Sequence, residues 1–285
     1  MKKRCIVIPA IKKNAVIPDQ LVKKLAGITL IERAINTARA CEAGSDIIVL
    51  TDSEEIGLIC ERLGVRHVRD RELRFRSLDI VAEMRVLLRA LAGEYENCVI
   101  LRASCPLLTW VDIEDAWRKY LESGADGLVT VKNVRQRVWN IGDGRNVLNA
   151  LEDGEKEYLV ESRALIILKL ANFADNAEKR PQRIIPYFLD ERAIEIQNYQ
   201  DWWICEHLLM RRHVVFVVAG YPAIGMGHVY RALMLAHEIS NHKITFVCTS
   251  QSELAVESVA SRDYRVVRQG EDPLAQTVLA QRPDL

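Results

Sequence analysis

The stretch Arg4-Cys5-Ile6-Val7-Ile8-Pro9-Ala10 opens the chain, and Thr29-Leu30-Ile31-Glu32 follows it. Residues 5–8 form a continuous apolar run ended by Pro9, which predicts a buried strand. Thr29 and Glu32 have the spacing of a capping box, in which a hydroxyl and a carboxylate satisfy amides at a helix start. The helix they open places Ile31, Ala34, Ile35 and Ala38 on one face. Strand, loop and capped helix make the first repeat of an α/β sheet.

The same alternation continues outward. A strand at 46–50 leads into Thr51-Asp52-Ser53, which caps a helix with Ile56, Ile59, Cys60 and Leu63 inward. Residues 65–68 predict a strand, 78–91 a helix carrying Val81, Met84, Leu88 and Leu91 inward, and 98–101 a further strand. A helix from Asp112 and a strand at 127–131 close the series. Such short connections predict a parallel sheet covered by helices on both faces.

Beyond that point the pattern changes. Residues 137–141 and 147–151 flank Gly142-Asp143-Gly144, a hairpin signature. Strands at 165–170 and 193–196 precede a helix over 199–212, in which Trp202-Trp203 is expected to pack in the core and at an interface. A second start follows: an apolar run at 214–219, a glycine loop, and a helix with Val229, Leu233, Ala236 and Ile239 inward. A strand at 244–248, a helix from Ser252 and a strand near Val266 come next. The expected organisation is two domains, 1–212 and 213–285, each α/β. The first is a Rossmann-type, mostly parallel sheet with a hairpin insertion, and the second is a partial Rossmann-like sheet. About 70 residues are too few to cover both faces of a parallel sheet, so the second domain is expected to be cut from a larger one.

A chain of 285 residues favours two domains over one. Its 39 basic and 39 acidic residues cancel, which leaves no electrostatic case for a nucleic-acid or anionic-membrane partner. The apolar run before Pro9 is too short for a signal peptide or a membrane span. Seven cysteines without a C-x-x-C pair read as reduced thiols, so a cytoplasmic location is expected. The histidines at 67, 207, 213, 237 and 242 show no ligand spacing, and the charged run 152–157 reads as a solvated loop.

Ile8-Pro9-Ala10 through Leu25-Ala26-Gly27-Ile28-Thr29-Leu30-Ile31 resembles the opening of the cytidylyltransferases that activate sialic and related nonulosonic acids. Pro9, Ala10, Pro18, Leu25, Gly27, Leu30 and Ile31 all fall on the pattern without a gap. Thr51-Asp52-Ser53-Glu54-Glu55-Ile56, Ser77-Leu78-Asp79, Leu101-Arg102-Ala103-Ser104-Cys105-Pro106-Leu107 and Ala193-Ile194-Glu195-Ile196-Gln197 follow in the family's order. The resemblance spans about residues 4–212 and implies a nucleotidyltransferase-like fold. It implies joining a sugar acid's hydroxyl to the α-phosphate of CTP with loss of pyrophosphate. It also implies a loop that approaches the triphosphate, cations beside it and a carboxylate-held Mg²⁺.

By that match Pro9, Ala10, Lys12, Lys13, Arg102 and Ser104 are candidate nucleotide contacts and Glu195 a candidate metal ligand. The partners implied are CTP and a nonulosonic-type sugar acid. A homodimer through residues 134–151 is implied as well. The departures fall on the chemistry. Ile11 replaces the loop arginine, Lys12 and Lys13 replace glycines, Asn14 a serine and Ala15 a lysine. Gln20-Leu21 stands where Lys-Asn is expected, Arg102 replaces a glutamine, and Gln197 replaces the second metal aspartate. Two readings stay open: a transferase with degraded catalytic groups, and a non-catalytic scaffold or dimerising domain.

Ile224-Gly225-Met226-Gly227-His228-Val229-Tyr230-Arg231-Ala232-Leu233 resembles the UDP-sugar hydrolases of pseudaminic acid synthesis and their GT-B glycosyltransferase relatives. The match covers only residues 214–285, the start of such a domain. It implies His228 as a base that activates water, with Gly225, Gly227 and Arg231 at the nucleotide. The UDP-binding half of such enzymes lies in a second Rossmann domain, so this stretch alone is not expected to hydrolyse UDP-sugars.

Overall fold

Two-sided burial of the first strand organises the molecule. In the computed structural model the described residues are 2–12, 17–41, 45–70, 80–134, 139–142, 145–148, 158–174, 183–189 and 191–284. They fall into two compact units, Met1–Glu206 and His207–Leu285.

The first unit begins with β1 (Lys2–Ala10), the small hairpin β2 (Lys24–Leu25) and β3 (Ile28–Thr29), and α1 (Leu30–Arg39). Next come β4 (Asp46–Thr51), α2 (Glu54–Arg62), β5 (Arg66–Arg69), α3 (Ile80–Glu83) and α4 (Arg85–Leu91). After β6 (Tyr95–Leu101) and α5 (Trp110–Ser123) the chain forms β7 (Gly127–Val134), the hairpin β8 (Trp139–Gly142) and β9 (Arg145–Leu148), β10 (Tyr158–Lys169) and β11 (Ile184–Phe188). α6 (Tyr199–Met210) runs across the boundary between the units.

Seven strands pair in the order β11-β7-β10-β6-β1-β4-β5. β10 is antiparallel to both neighbours, and the remaining pairs are parallel. The sheet is therefore mostly parallel, as the strand–helix alternation implies. Cys5, Ile6, Val7 and Ile8 are all 0% exposed, so both faces of β1 are covered. Each fully buried isoleucine contributes about 1.5–3 kcal/mol. At the amino end of β1 the charge is neutralised inside: Arg4 donates to Glu114 of α5 at 2.6 and 3.2 Å and to Ser45 at 2.7 Å.

Local signals set the helix starts. Thr29 accepts from the Glu32 amide while Glu32 accepts from the Thr29 amide, the predicted capping box. Ser53 caps α2, and Thr109 with Asp112 forms a second box, which starts α5 at Trp110 rather than at Asp112. Such a cap is worth about 1 kcal/mol.

Several expectations need correction. β1 does not stop at Pro9. Pairing with β6 ends at Val7, so Pro9 lies beyond the doubly paired part of the strand, where a missing N–H is tolerated. The strand expected at 127–131 is β7, and it lies between β10 and β11. The single helix over 78–91 is two, α3 and α4, meeting at Met84, whose side chain is buried. Residues 193–196 carry no ladder; a 3₁₀ turn over Glu191–Ala193 leads into an extended segment. Trp202 is buried but Trp203 is 63% exposed, so only the first of the pair is core. The hairpin stands, pairing Trp139 with Leu148 and Gly142 with Arg145. Ser77-Leu78-Asp79, the turn at 143–144 and the charged run 152–157 lie outside the described residues.

The second unit holds β12 (His213–Val218), α7 (Gly227–Glu238), β13 (Lys243–Cys248), α8 (Glu253–Ala260), β14 (Arg265–Arg268) and α9 (Leu274–Ala280). Its strands are parallel in chain order. Phe246 stacks on Phe216 at 5.2 Å and meets Tyr264 at 5.4 Å, the centre of its core. α9, preceded by Pro273, is an element the periodicity did not reveal, since none of its residues is buried.

Gly220, just after β12, is where α7 and α8 come closest to the strand end. A Cβ there would lie 2.8 Å from Val229 Cγ2 and 3.1 Å from Ala255 Cβ, neither of which can swing away. Gly220→Ala is expected to destabilise the second unit by about 1–3 kcal/mol. Hydrogen exchange on the whole chain should accelerate over residues 213–268 and stay unchanged in β1, β4 and β6.

Candidate functional site

The carboxyl ends of β1, β4 and β6 point the same way, and in open α/β sheets that edge is where ligands bind. Three loops leave it: the one after Ala10, the one at Asp52, and the one from Arg102 to Pro106. Pro9 and Ala10 are buried at the end of β1 and shape the loop.

The first loop is closed down by protein groups. Asp52 accepts the Lys12 backbone N–H at 2.9 Å. The Lys12 ammonium bonds Glu55 at 2.6 Å and Asp19 at 3.2 Å. Those hydrogen bonds, Glu55 first and Asp19 second, hold its pKa above the ordinary lysine value. Ile11, where the resemblance implies a loop arginine, packs against the core that includes Val7, Leu50 and Ile100. Gln20, at the position of the family's lysine, is 3% exposed and donates to the Ile196 carbonyl at 2.8 Å. Both substitutions are thus tied into the fold. Lys13, Asn14 and Ala15 lie outside the described residues.

The third loop carries the densest charge. Arg102 Nη2 reaches Glu195 Oε1 at 2.5 Å, and Ser104 Oγ donates to the same oxygen at 3.3 Å. Arg163 Nη2 lies 3.3 Å from Glu195 Oε2, and the Gln197 amide donates to that oxygen at 3.2 Å. The structure brings together Arg102 and Ser104, expected at the nucleotide, with Glu195, expected at a metal, and adds Arg163 and Gln197. The Ile196 amide donates to the Ser104 carbonyl at 2.8 Å, which fixes the extended segment to the loop.

Arg163 is the residue that sequence reasoning missed. It sits in β10 where the register slips between Glu161 and Ile166, and its φ is +54°, the left-handed region unusual for a side-chain-bearing residue. The bulge turns the side chain out of the strand's alternation toward Glu195. No local sequence signal marks such a kink.

Glu195 does not fit the metal role. Both of its oxygens are engaged by two guanidiniums, a hydroxyl and an amide, and its neighbour at the second metal position is Gln197. Among the described residues no group of three His, Cys, Asp or Glu side chains is arranged to hold a metal ion. The donors here are cations, which a Mg²⁺ ion would have to displace.

In the second unit, Gly225 adopts φ +75°, and a Cβ on Gly227 would meet nothing within 4 Å. His228 and Arg231 are exposed on the first turns of α7. The glycine loop thus leaves the helix start open, with Gly220 rather than Gly227 making the tight packing contact.

A family model described as a MobA-like NTP transferase domain matches residues 19–219. The chain belongs to the MobA-like NTP transferase family. The match runs past the first unit through β12. Over 62 residues, 22% of this chain, the sequence is 36% identical to the 3-deoxy-manno-octulosonate cytidylyltransferase of Koribacter versatilis (strain Ellin345). That stretch spans 24% of the length of the relative. Two solved structures share the fold. One is CMP:2-keto-3-deoxy-manno-octonic acid synthetase complexed with CTP, 14% identical, covering 73% of this chain and 98% of that one at a TM-score of 0.55. The other is 4-diphosphocytidyl-2C-methyl-D-erythritol synthase from Anaerococcus prevotii DSM 20548, 13% identical, covering 74% and 99% at a TM-score of 0.57. This NTP transferase domain is therefore cytidylyltransferase-like in fold. Among the described residues no helix is long and apolar enough to cross a membrane.

All seven cysteines are free and buried, and burial pushes the thiols of Cys41 and Cys205 up to about 12 and of Cys60 to about 11. Thiolate chemistry has no starting point here. An aromatic disulfide reagent at pH 8 should find no fast-reacting thiol in the native protein and all seven after denaturation.

Proposed function

We propose that this chain is a sugar-acid cytidylyltransferase-like protein of surface-glycan biosynthesis whose transfer from CTP is weak or lost. It binds an anionic sugar or nucleotide group at the carboxyl edge of the first sheet. The single observation that supports this reading is the capture of Glu195 by Arg102 and Arg163. Transfer to a sugar hydroxyl needs a carboxylate-held cation at the α-phosphate and free positive charge on the loop. Here the carboxylate is neutralised by protein, and Lys12 is bound to Glu55 and Asp19.

The cytoplasm is the proposed location, a reading supported by the seven free, buried cysteines. The second unit then contributes a hydrolase-like nucleotide loop, with His228 as its candidate base and Gly225, Gly227 and Arg231 beside it. A purely scaffolding first unit is the runner-up reading. It draws support from Ile11 and Gln20, which have exchanged ligand-facing chemistry for packing.

The deciding experiment measures pyrophosphate release from CTP with Mg²⁺ and N-acetylneuraminate or a 2-keto-3-deoxy sugar acid. Release close to the background rate is expected, with calorimetry showing only weak Mg²⁺–CTP binding. Micromolar Mg²⁺–CTP affinity together with turnover would overturn the proposal.

The β8–β9 hairpin is proposed as the pairing surface of a homodimer. Light scattering at tens of micromolar should give twice the 32.4 kDa chain mass. Deleting residues 137–151 should return the monomer mass, and a monomer before deletion would refute the assignment.

A further inference from the structure

We propose that Arg102 and Arg163, held apart by Glu195, form a metal-independent oxyanion site that takes a carboxylate or phosphate group directly. This deepens the reading above and rests on it for the location of the ligand edge.

The charge count carries the inference. Two guanidiniums share one carboxylate, and the three side chains are 20%, 23% and 11% exposed for Arg102, Arg163 and Glu195. A partly desolvated cluster with one surplus positive charge attracts a second anion. Glu195 spends Oε1 on Arg102 and Ser104 and Oε2 on Arg163 and Gln197, so it has become a spacer for cations. A guanidinium carries five N–H donors in a planar fork, and Glu195 takes one Nη2 from each arginine. The geometry of the remaining donors suits planar carboxylate and tetrahedral phosphate alike.

Placement supports the same conclusion. The cluster lies at the end of β6, because Arg102 N–H bonds the Ala164 carbonyl at 3.2 Å and Leu165 pairs with Leu101. Arg163 reaches it only through the bulge in β10 and a left-handed φ of +54°. Arg33 lines the same small cavity as Arg102 and has a buried Nε without a partner among the described residues. At the positions where the resemblance implies metal aspartates, Glu195 holds the two arginines and Gln197 donates to Glu195. The exchange is one of cation type: fixed guanidiniums replace a mobile divalent ion.

Two sources share this chemistry, the carboxylate of a sugar acid and the phosphates of a nucleotide or pyrophosphate. The test titrates the whole chain with N-acetylneuraminate in one arm and with inorganic pyrophosphate in another, each in EDTA. Binding is expected in at least one arm, and the tighter arm names the source. Arg163→Gln and Arg163→Gly should each weaken that binding about ten-fold or more, the loss of a charge-assisted hydrogen bond. The glycine variant accepts the left-handed backbone, so it keeps the test meaningful if Arg163→Gln unfolds. Arg118→Gln, on an exposed face of α5, serves as the control and should leave affinity unchanged. Absence of binding in both EDTA arms would overturn the proposal. So would binding that appears only when Mg²⁺ is added, or that survives both Arg163 variants. An active Mg²⁺-dependent transferase would defeat the proposed function, whereas only these EDTA arms decide the oxyanion site.

Discussion

Parallel pairing of β1 with both β4 and β6 is the constraint on which the rest of the first unit depends. A strand whose successive residues are buried on both faces has to lie inside the sheet, with helices above and below. Cys5 through Ile8 meet that condition with no exposed surface. Because β4 and β6 run in the same direction as β1, the three following loops emerge on one edge. The chain can then bring Lys12 to Asp52, forty residues away in sequence, and put Arg102 on the same edge. Arg4, at the opposite end of β1, is satisfied by Glu114 and Ser45 and stacks 5.0 Å from the Trp117 ring, which fixes α5 against the strand.

At the loop edge, charged side chains pair with one another inside the protein. A nucleotidyltransferase edge keeps positive charge available for phosphates and negative charge for a metal. Here the two are largely spent on each other. Lys12 answers Glu55 and Asp19, and Glu195 answers Arg102 and Arg163. Lys12 and its two carboxylates are partly to largely exposed, whereas the Glu195 cluster sets two guanidiniums on one carboxylate with little solvent around them. That asymmetry separates a closed structural contact from a candidate ligand site.

The antiparallel strand β10 links the fold to this charge cluster. It lies between β6 and β7, and its bulge breaks the two-residue alternation that would otherwise fix which face each side chain takes. Between the Glu161–Val131 and Ile166–Val129 pairs β10 advances five residues against two on β7, and Arg163 lies within that excess. Thr130, buried on β7, accepts from the Leu165 amide and donates to the Leu165 carbonyl, both at 3.1 Å. That pair of bonds satisfies backbone groups where the register changes.

Sequence alone determined the features set by neighbours along the chain. The capping box at Thr29 and Glu32, the Ser53 cap, the buried apolar runs and the Gly142–Arg145 hairpin were all legible, because each depends on contacts a few residues apart. The resemblance marked Arg102, Ser104 and Glu195 one by one, without saying that they meet. What only the tertiary structure decided was where charges meet. The turn of Arg163 out of β10, the 176-residue reach of Gln20 to the Ile196 carbonyl, and the capture of Lys12 by Glu55 all depend on register and crossover. Hydrophobic periodicity specifies which face of an element is buried; it carries no information about which charged side chains from distant strands share an edge. Electrostatic pairing acts through space over a few ångströms, so the fold had to be assembled before the partners of Glu195 could be known.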